Sequence, residues 1–314
     1  MQSRREFLAA GIAAAGAAAL LRPVTAASAT ASQPSTPVDF DVPAGACDCH
    51  VHVMQDARRF PFAASRVYTP ETASVAELRS LHRALHIDRV VVIQATVYGS
   101  DNSCALDAIK QIGESARGIA VLSDTDSSAE LDAMHRGGIR GIRIHFENAG
   151  AFDPAAVRQH VKASAERIKG RGWHLEIVAG WRELEALRDE VAACATPVSF
   201  DLGVPTISGV DPAGFKALLS LLREGKTYVD IAGPYDTADY NQIAKPLIAA
   251  NPERITWGTN WPHVLHIPGR KVTEITPFAK ADDGRDLNRL HAWTTGAAQR
   301  KLILVENPAR LYGF

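Results

Sequence analysis

Asp48-Cys49-His50-Val51-His52 is the stretch whose reading decides the fold. It follows Val42-Pro43-Ala44-Gly45, a turn-forming run, and reads as a short buried strand. Side chains alternate along a strand, so Asp48, His50 and His52 are expected on one face, with Cys47, Cys49, Val51 and Val53 on the other. Two imidazoles two residues apart on one face suit a metal, a proton-transfer site or a polarised carbonyl. The blander alternative is a pair of hydrogen-bonded core histidines. For a His-x-His pair on the first strand of an alternating chain, a site is the better reading.

Outward from this strand the pattern repeats. Arg89 to Thr96 is a β-branched run of the kind buried on both faces of a parallel sheet. Further strands are predicted over Ile119–Leu122, Ile139–His145, His174–Ala179, Pro197–Leu202, Thr227–Ala232 and Ile255–Gly258. Helical patterns lie between them, from Glu71–Leu85 through Asn102–Ser115, Ser128–His135, Pro154–Lys169, Trp181–Ala193, Pro212–Arg223 and Tyr240–Ala250, with a last one over Gly284–Leu304. Strands alternating with helices eight times predict an α/β fold of the (β/α)8 TIM-barrel kind rather than an open doubly wound sheet. There is no glycine-rich dinucleotide fingerprint after the first strand, no phosphate-binding loop and no Gly-x-Ser-x-Gly elbow. Barrel chemistry sits at the C-terminal ends of the strands. That rule selects His50 and His52, Gln94 and Thr96, Arg143 and His145, Glu176, Asp201 and Asn260-Trp261-Pro262-His263.

Composition is that of an ordinary globular chain: 314 residues, 46% hydrophobic, 22% charged and a formal net charge of −1. So even a charge balance gives no field for nucleic acid or a membrane surface. The N-terminus reads as a targeting segment. Ser3-Arg4-Arg5-Glu6-Phe7-Leu8 has the form of a twin-arginine signal, followed by an Ala/Gly-rich apolar run to Leu21 and small-residue cleavage candidates near Val24–Ala29. That run is too short and too rich in alanine for a stable transmembrane helix. Residues 1–29 are therefore expected to be a signal peptide, 30–45 a linker and 46–314 the barrel. The expected location is periplasmic or secreted, with the twin-arginine export machinery as a transient partner and no membrane contact after cleavage. Cys47 and Cys49 are poorly placed to bridge each other, and a Cys104–Cys194 disulfide stays open.

The motifs resemble those of the amidohydrolase-related barrels that act on lactones. They are Asp48–His52, Phe60-Pro61-Phe62 with Tyr68-Thr69-Pro70, Gln94-Ala95-Thr96 with Gly99–Asn102, Gly138–Arg143, Gly172-Trp173-His174, Trp257–His263 and Glu306–Leu311. They run in family order to the C-terminus. The resemblance implies an amidohydrolase-type barrel acting on a small, acidic lactone, with His50, His52 and Asn260 at the catalytic centre. On the substrate side, Arg143 suits a bidentate pair with a carboxylate, Tyr68, Gln94 and Thr96 suit the lactone's other oxygens, and His263 is expected either to line the mouth of the site or to pack structurally.

Departures from the family pattern carry information of their own. The lactonase branch ends its eighth strand in an Asp that activates water; Asn260 stands there, and an amide cannot take that proton. The sixth strand's Asp-His is Asp201-Leu202, and the seventh strand's arginine loop is Gly233-Pro234-Tyr235-Asp236. A catalytic zinc needs three protein ligands. His50 and His52 supply two, so no cofactor is firmly implied, and a weakly bound divalent metal such as zinc is the most this set offers. Glu176 and Asp201 are the candidates for a replacement ligand or base; for Glu176 the plainer expectation is an ion pair with Arg140 or Arg143. Hydrolytic ring opening is the first expectation. An isomerase branch of the family also carries Thr-Asn-Trp-Pro-His, and there a substrate hydroxyl replaces water as the attacking group. A binding protein without turnover is the third.

Overall fold

The computed structural model describes residues 31–146, 153–202, 211–233, 240–265, 267 and 269–314. Eight strands run parallel in sequence order: β1 (Cys47–Val51), β2 (Arg89–Ile93), β3 (Ala116–Ala120), β4 (Ile139–His145), β5 (His174–Val178), β6 (Val198–Asp201), β7 (Thr227–Ala232) and β8 (Ile255–Gly258). Backbone bonds from Asn260 N to the His50 carbonyl and from His52 N to the Trp261 carbonyl, both 2.8 Å, join the end of β8 to β1 and close the barrel. Helices α1 (Val75–Leu85), α2 (Ser103–Ile112), α3 (Ser128–Arg136), α4 (Pro154–Ile168), α5 (Trp181–Ala193), α6 (Pro212–Arg223), α7 (Tyr240–Ala250) and α8 (Asp283–Trp293) surround it. This is the (β/α)8 barrel that the alternation predicts. Among the described residues no helix is long and apolar enough to cross a membrane.

Local chemistry sets the helix ends. Ser74 caps α1 in a reciprocal box with Glu77, so the helix begins at Val75 rather than at the predicted Glu71. Ser127 and Glu130 do the same for α3. Asp153 and Asp211 cap α4 and α6, each with a proline in the first turn. Val75, Leu78, Leu81 and Leu85 form the buried stripe of α1 against the outward residues of the sheet. Full burial of such side chains contributes roughly 1.5–3 kcal/mol each.

Three expectations change. The third strand lies at Ala116–Ala120, earlier than Ile119–Leu122, because it pairs with β2 from Val90↔Ala116. The last helical stretch is broken: α8 ends at Trp293, and a second helical run starts at Ala297 and contains a π-helical turn over Leu302–Glu306. Residues 31–45, expected as a linker, lie against the barrel as a strap. Ala31 is buried, the Trp261 indole donates to the Ser32 carbonyl at 3.1 Å, and Ser35 and Thr36 donate to the Asp282 carboxylate. Gly284 of α8 accommodates the strap, since a Cβ there would stand 1.9 Å from the Thr36 carbonyl oxygen. The proposed signal segment, residues 1–29, lies outside the described residues.

The face assignment of β1 also changes. Its register with β2 runs Asp48↔Val90 and then Val51↔Val92, so one extra residue is accommodated as a bulge. The bulge reverses the alternation part-way along the strand. Cys47 and Cys49 point into the barrel with Val91, Ile93 and Tyr228, while Asp48 turns outward to α1. Beyond the bulge His50 turns inward and Val51 packs with the helical layer. Asp48 therefore does not share a face with His50. It accepts from the Thr259 backbone N–H and hydroxyl and contacts His82 Nε2 at 3.2 Å, which fastens β1 to the end of β8 and to α1.

Candidate active site

His50 stands at the centre of a buried polar cluster inside the barrel. Gly258 makes room for it: a Cβ at that position would lie 2.5 Å from His50 Cβ. His50 Nδ1 is 3.0 Å from Asp230 Oδ2, and Asp230 is held by the Thr256 hydroxyl at 2.8 Å. On the other side of the ring, His50 Nε2 is 3.3 Å from Arg143 Nη1 and 3.9 Å from Asp201 Oδ2. Arg143 donates from Nη2 to Asp201 Oδ2 at 2.5 Å, and its Nε is 3.4 Å from Glu176 Oε1. These side chains come from β1, β4, β5, β6 and β7. Arg143 and Glu176 are lateral neighbours in register, as are Asp201 and Asp230.

Electrostatics follow from this packing. Burial acts to discharge His50, but the Asp201 charge and the Asp230 hydrogen bond outweigh it and hold its pKa above 6.5. Burial lifts the Glu176 carboxyl to about 7 against the opposing pull of Arg143 and His50. Neither Glu176 oxygen has a hydrogen-bond partner of good geometry. His52 lies beside His50, ring centroids 5.1 Å apart, with Nδ1 3.0 Å from the Ile93 carbonyl. That contact fixes Nδ1 as the donor and leaves Nε2 an acceptor. Burial, with the charges of His50 and Arg143, keeps His52 well below its usual pKa. His145, beyond Arg143 on β4, is pushed down to about 3 by burial and the Arg143 charge.

The remaining expected site residues divide. Tyr68 is hydrogen-bonded to Thr96, and burial raises its phenol while Arg143 acts on it through space. The Gln94 amide is engaged otherwise, donating to the carbonyls of Gly99 and Asp101 at 3.1 and 2.8 Å, so it shapes the loop after β2. His263 turns to Asp283 at the start of α8, 2.9 Å away, which is the contact that the structural-packing alternative calls for. Asn260 ends β8 in a left-handed conformation, φ 60°, half-buried beside the His50 backbone. Of the substituted arginine loop only Gly233 is described; Pro234, Tyr235 and Asp236 lie outside the described residues. All four cysteines are free.

Asp230 is the residue that motif reading missed. Its signal was present: a carboxylate inside the apolar strand Tyr228-Val229-Asp230-Ile231-Ala232, where an unpaired charge would be costly.

Among the described residues, the group of three or more that could hold a metal is His50, Glu176 and Asp201, whose ligand atoms lie within 4.8 Å of one another; His52 is not part of it. Arg143 already contacts all three. Here Arg143 supplies the cationic charge and the hydrogen bonds of this set, so an ion bound by the three donors would take the place that the guanidinium now holds.

Comparison with known proteins agrees with this architecture. The family model described as amidohydrolase matches residues 47–314. The chain is 35% identical over 304 residues to a 2-pyrone-4,6-dicarboxylate hydrolase of Comamonas testosteroni, covering 90% of this chain and 94% of that one. It is 31% identical to a 4-sulfomuconolactone hydrolase of Rhizobium radiobacter, covering 89% and 93%. A D-galactarolactone isomerase of Agrobacterium fabrum is 27% identical, covering 75% and 80%. Among solved structures, an apo protein of Agrobacterium tumefaciens superposes with a TM-score of 0.74 at 24% identity, covering 90% of this chain and 98% of that one.

Proposed function

This chain belongs to the amidohydrolase family, and from that premise we propose that it opens the ring of a small, acidic lactone by hydrolysis. The observation that carries the reading is the meeting of Arg143 Nη1 and His50 Nε2, 3.3 Å apart, at a site backed by three carboxylates. A lactone carbonyl oxygen that faces both, at the apex of a triangle with the two nitrogens, receives hydrogen bonds from both. The oxyanion formed on attack is then stabilised by groups already oriented for it. Asp230 holds the His50 ring and favours its protonated form. Asn260 orients the attacking water or a substrate group but cannot remove its proton. Glu176, with its pKa near neutrality, takes that proton and returns it to the departing ring oxygen as the C–O bond breaks. The names of the two hydrolase relatives point to anionic ring esters. Tyr68 and Thr96 flank the site as partners for the substrate's other oxygens.

A second reading, lactone isomerisation, is favoured by Asn260. Without a carboxylate at that position, a hydroxyl of the substrate, held at high effective molarity, competes with water for the same carbonyl. An NMR time course with aldarolactones and muconolactones, with and without added zinc, tests both. Free acid without metal supports hydrolysis, and interconversion of ring sizes supports isomerisation. Saturable binding with no product would reduce the protein to a binding relative. Dependence on zinc would mean that Arg143 withdraws to admit an ion. We also propose periplasmic or secreted location, supported by Ser3-Arg4-Arg5-Glu6-Phe7-Leu8. Replacing both arginines by lysine should leave the protein in the cytoplasmic fraction; continued export would refute the assignment.

A further inference from the structure

At the end of the barrel opposite the His50 cluster, where β5, β6 and β7 begin, lies a cavity of about 370 Å³. This is the size of small-molecule pockets, which bury an apolar body and fix it with a few polar groups. Tyr228 and Leu311, which line this cavity, pack with Cys47, Cys49 and Tyr312 in one buried cluster, and none of the catalytic-cluster residues lines the cavity. Lys226, Arg254 and Arg310 line the cavity and no carboxylate does. Arg254 is held in place: its Nη1 donates to the Tyr228 hydroxyl at 2.6 Å, and its guanidinium sits 4.7 Å from the centre of that ring. Arg310 leans on the Glu253 carbonyl at 3.4 Å. Two of the acids nearest in effect are committed elsewhere. Glu224, which feels Lys226, is paired with Arg188 at 2.8 Å, and Glu166 is paired with Lys169 at 3.1 Å; Glu190 acts on Cys194 at the rim. The walls between the cations are apolar: Trp173, Pro197, Val198 and Leu311.

Three cations lining one concave, part-polar and part-apolar space, with no acid among its walls, repel one another unless an anion joins them. We propose that this cavity binds a small organic carboxylate, its apolar body against Trp173, Pro197 and Leu311 and its carboxylate between Arg254, Arg310 and Lys226. A flat acidic protein surface would reach the rim cations but leave the apolar walls unfilled, which favours the small molecule.

Cys194 lies on the wall of this cavity and is half-buried, whereas Cys47, Cys49 and Cys104 are buried. Its alkylation is therefore a local reporter that the catalytic cluster does not share. The test follows iodoacetamide labelling of Cys194 by mass spectrometry in the whole protein, with benzoate as probe, benzamide as its uncharged counterpart and sodium chloride at matched ionic strength. Benzoate should slow labelling saturably, by about fivefold or more, and benzamide should not. Arg254→Met and Arg310→Met should each raise the half-protecting benzoate concentration about tenfold, the scale of one lost charge-assisted bond, while lactone turnover stays unchanged. Arg254→Lys, which keeps the charge, should retain most of the protection and so separates loss of binding from loss of fold. The proposal is overturned by absent protection, by equal protection from benzamide, or by a half-protecting concentration that Arg254→Met leaves unchanged. Protection by an oligoglutamate peptide but not by benzoate would overturn it in favour of a protein-docking face.

Discussion

Replacing Glu176 by glutamine tests both the electrostatics of the cluster and its chemistry. Burial raises the Glu176 carboxyl from 4.5 to about 7 in the folded protein. The native state therefore holds this proton more tightly than the unfolded chain does. The associated stability is fully present below the unfolded pKa and is lost as pH rises through the folded one. At about 1.36 kcal/mol per pH unit, the displacement corresponds to about 3 kcal/mol lost between acid and slightly alkaline solution. Glutamine keeps the shape of the neutral acid and cannot ionise. Urea unfolding from about pH 5 to about pH 8 should show the wild type losing stability across this range, with a shallower loss in Glu176→Gln. The variant should be the more stable of the two at the alkaline end, by on the order of 3 kcal/mol. His50 also titrates upward of its usual value and contributes loss of the same sign, but it is present in both proteins, so the difference reports Glu176 and its coupling to His50. Turnover should fall about a hundredfold or more, and the rise of rate with pH near neutrality should vanish. Parallel stability curves for the two proteins would refute the placement of the proton, and undiminished turnover would refute its role.

Four further outcomes follow from the same geometry. Gly258→Ala places a methyl 2.5 Å from His50 Cβ and 2.7 Å from its backbone nitrogen, so thermal unfolding should show a loss of roughly 1–3 kcal/mol together with lost turnover. Arg143→Met strips the cation from Asp201 and Glu176; destabilisation of about 3–5 kcal/mol and a raised KM for acidic lactones are expected, and an unchanged KM would remove Arg143 from the substrate. Asn260→Asp supplies a carboxylate at the end of β8 and should shift product partition, read by NMR, toward free acid; an unchanged partition would show that this position does not choose the nucleophile. Exhaustive chelation should leave turnover within about twofold of the untreated protein, since Arg143 supplies the cluster's cation; recovery of lost activity by zinc would contradict this.

The architecture was legible because β-branched runs and amphipathic stretches alternate with little ambiguity; α5, α6 and α7 begin and end where periodicity places them. His50 and Arg143 were legible because strand ends concentrate barrel chemistry. What escaped depends on partners distant in the chain. Asp230 meets His50 across 180 residues, and nothing in its own neighbours names that histidine. His263 reads as a site residue from its motif, yet Asp283 claims it. The strap was hidden by composition: Ser, Thr and Pro look like linker until Asp282 and Trp261 are seen to need their hydroxyls and carbonyls. The bulge in β1 left no mark at all, because an extra residue has no composition of its own.

That bulge lets two consecutive side chains, Cys49 and His50, both face the barrel interior. Deleting Cys49 would restore the regular pleat, keep Asp48 opposite Val90 and Val51 opposite Val92, and leave His50 inward opposite Val91. The strand is therefore redundant by one residue: it can lose the cysteine together with its bulge and still present the histidine, whereas exchange of Cys49 or Val51 for residues of similar volume need only fill their pockets.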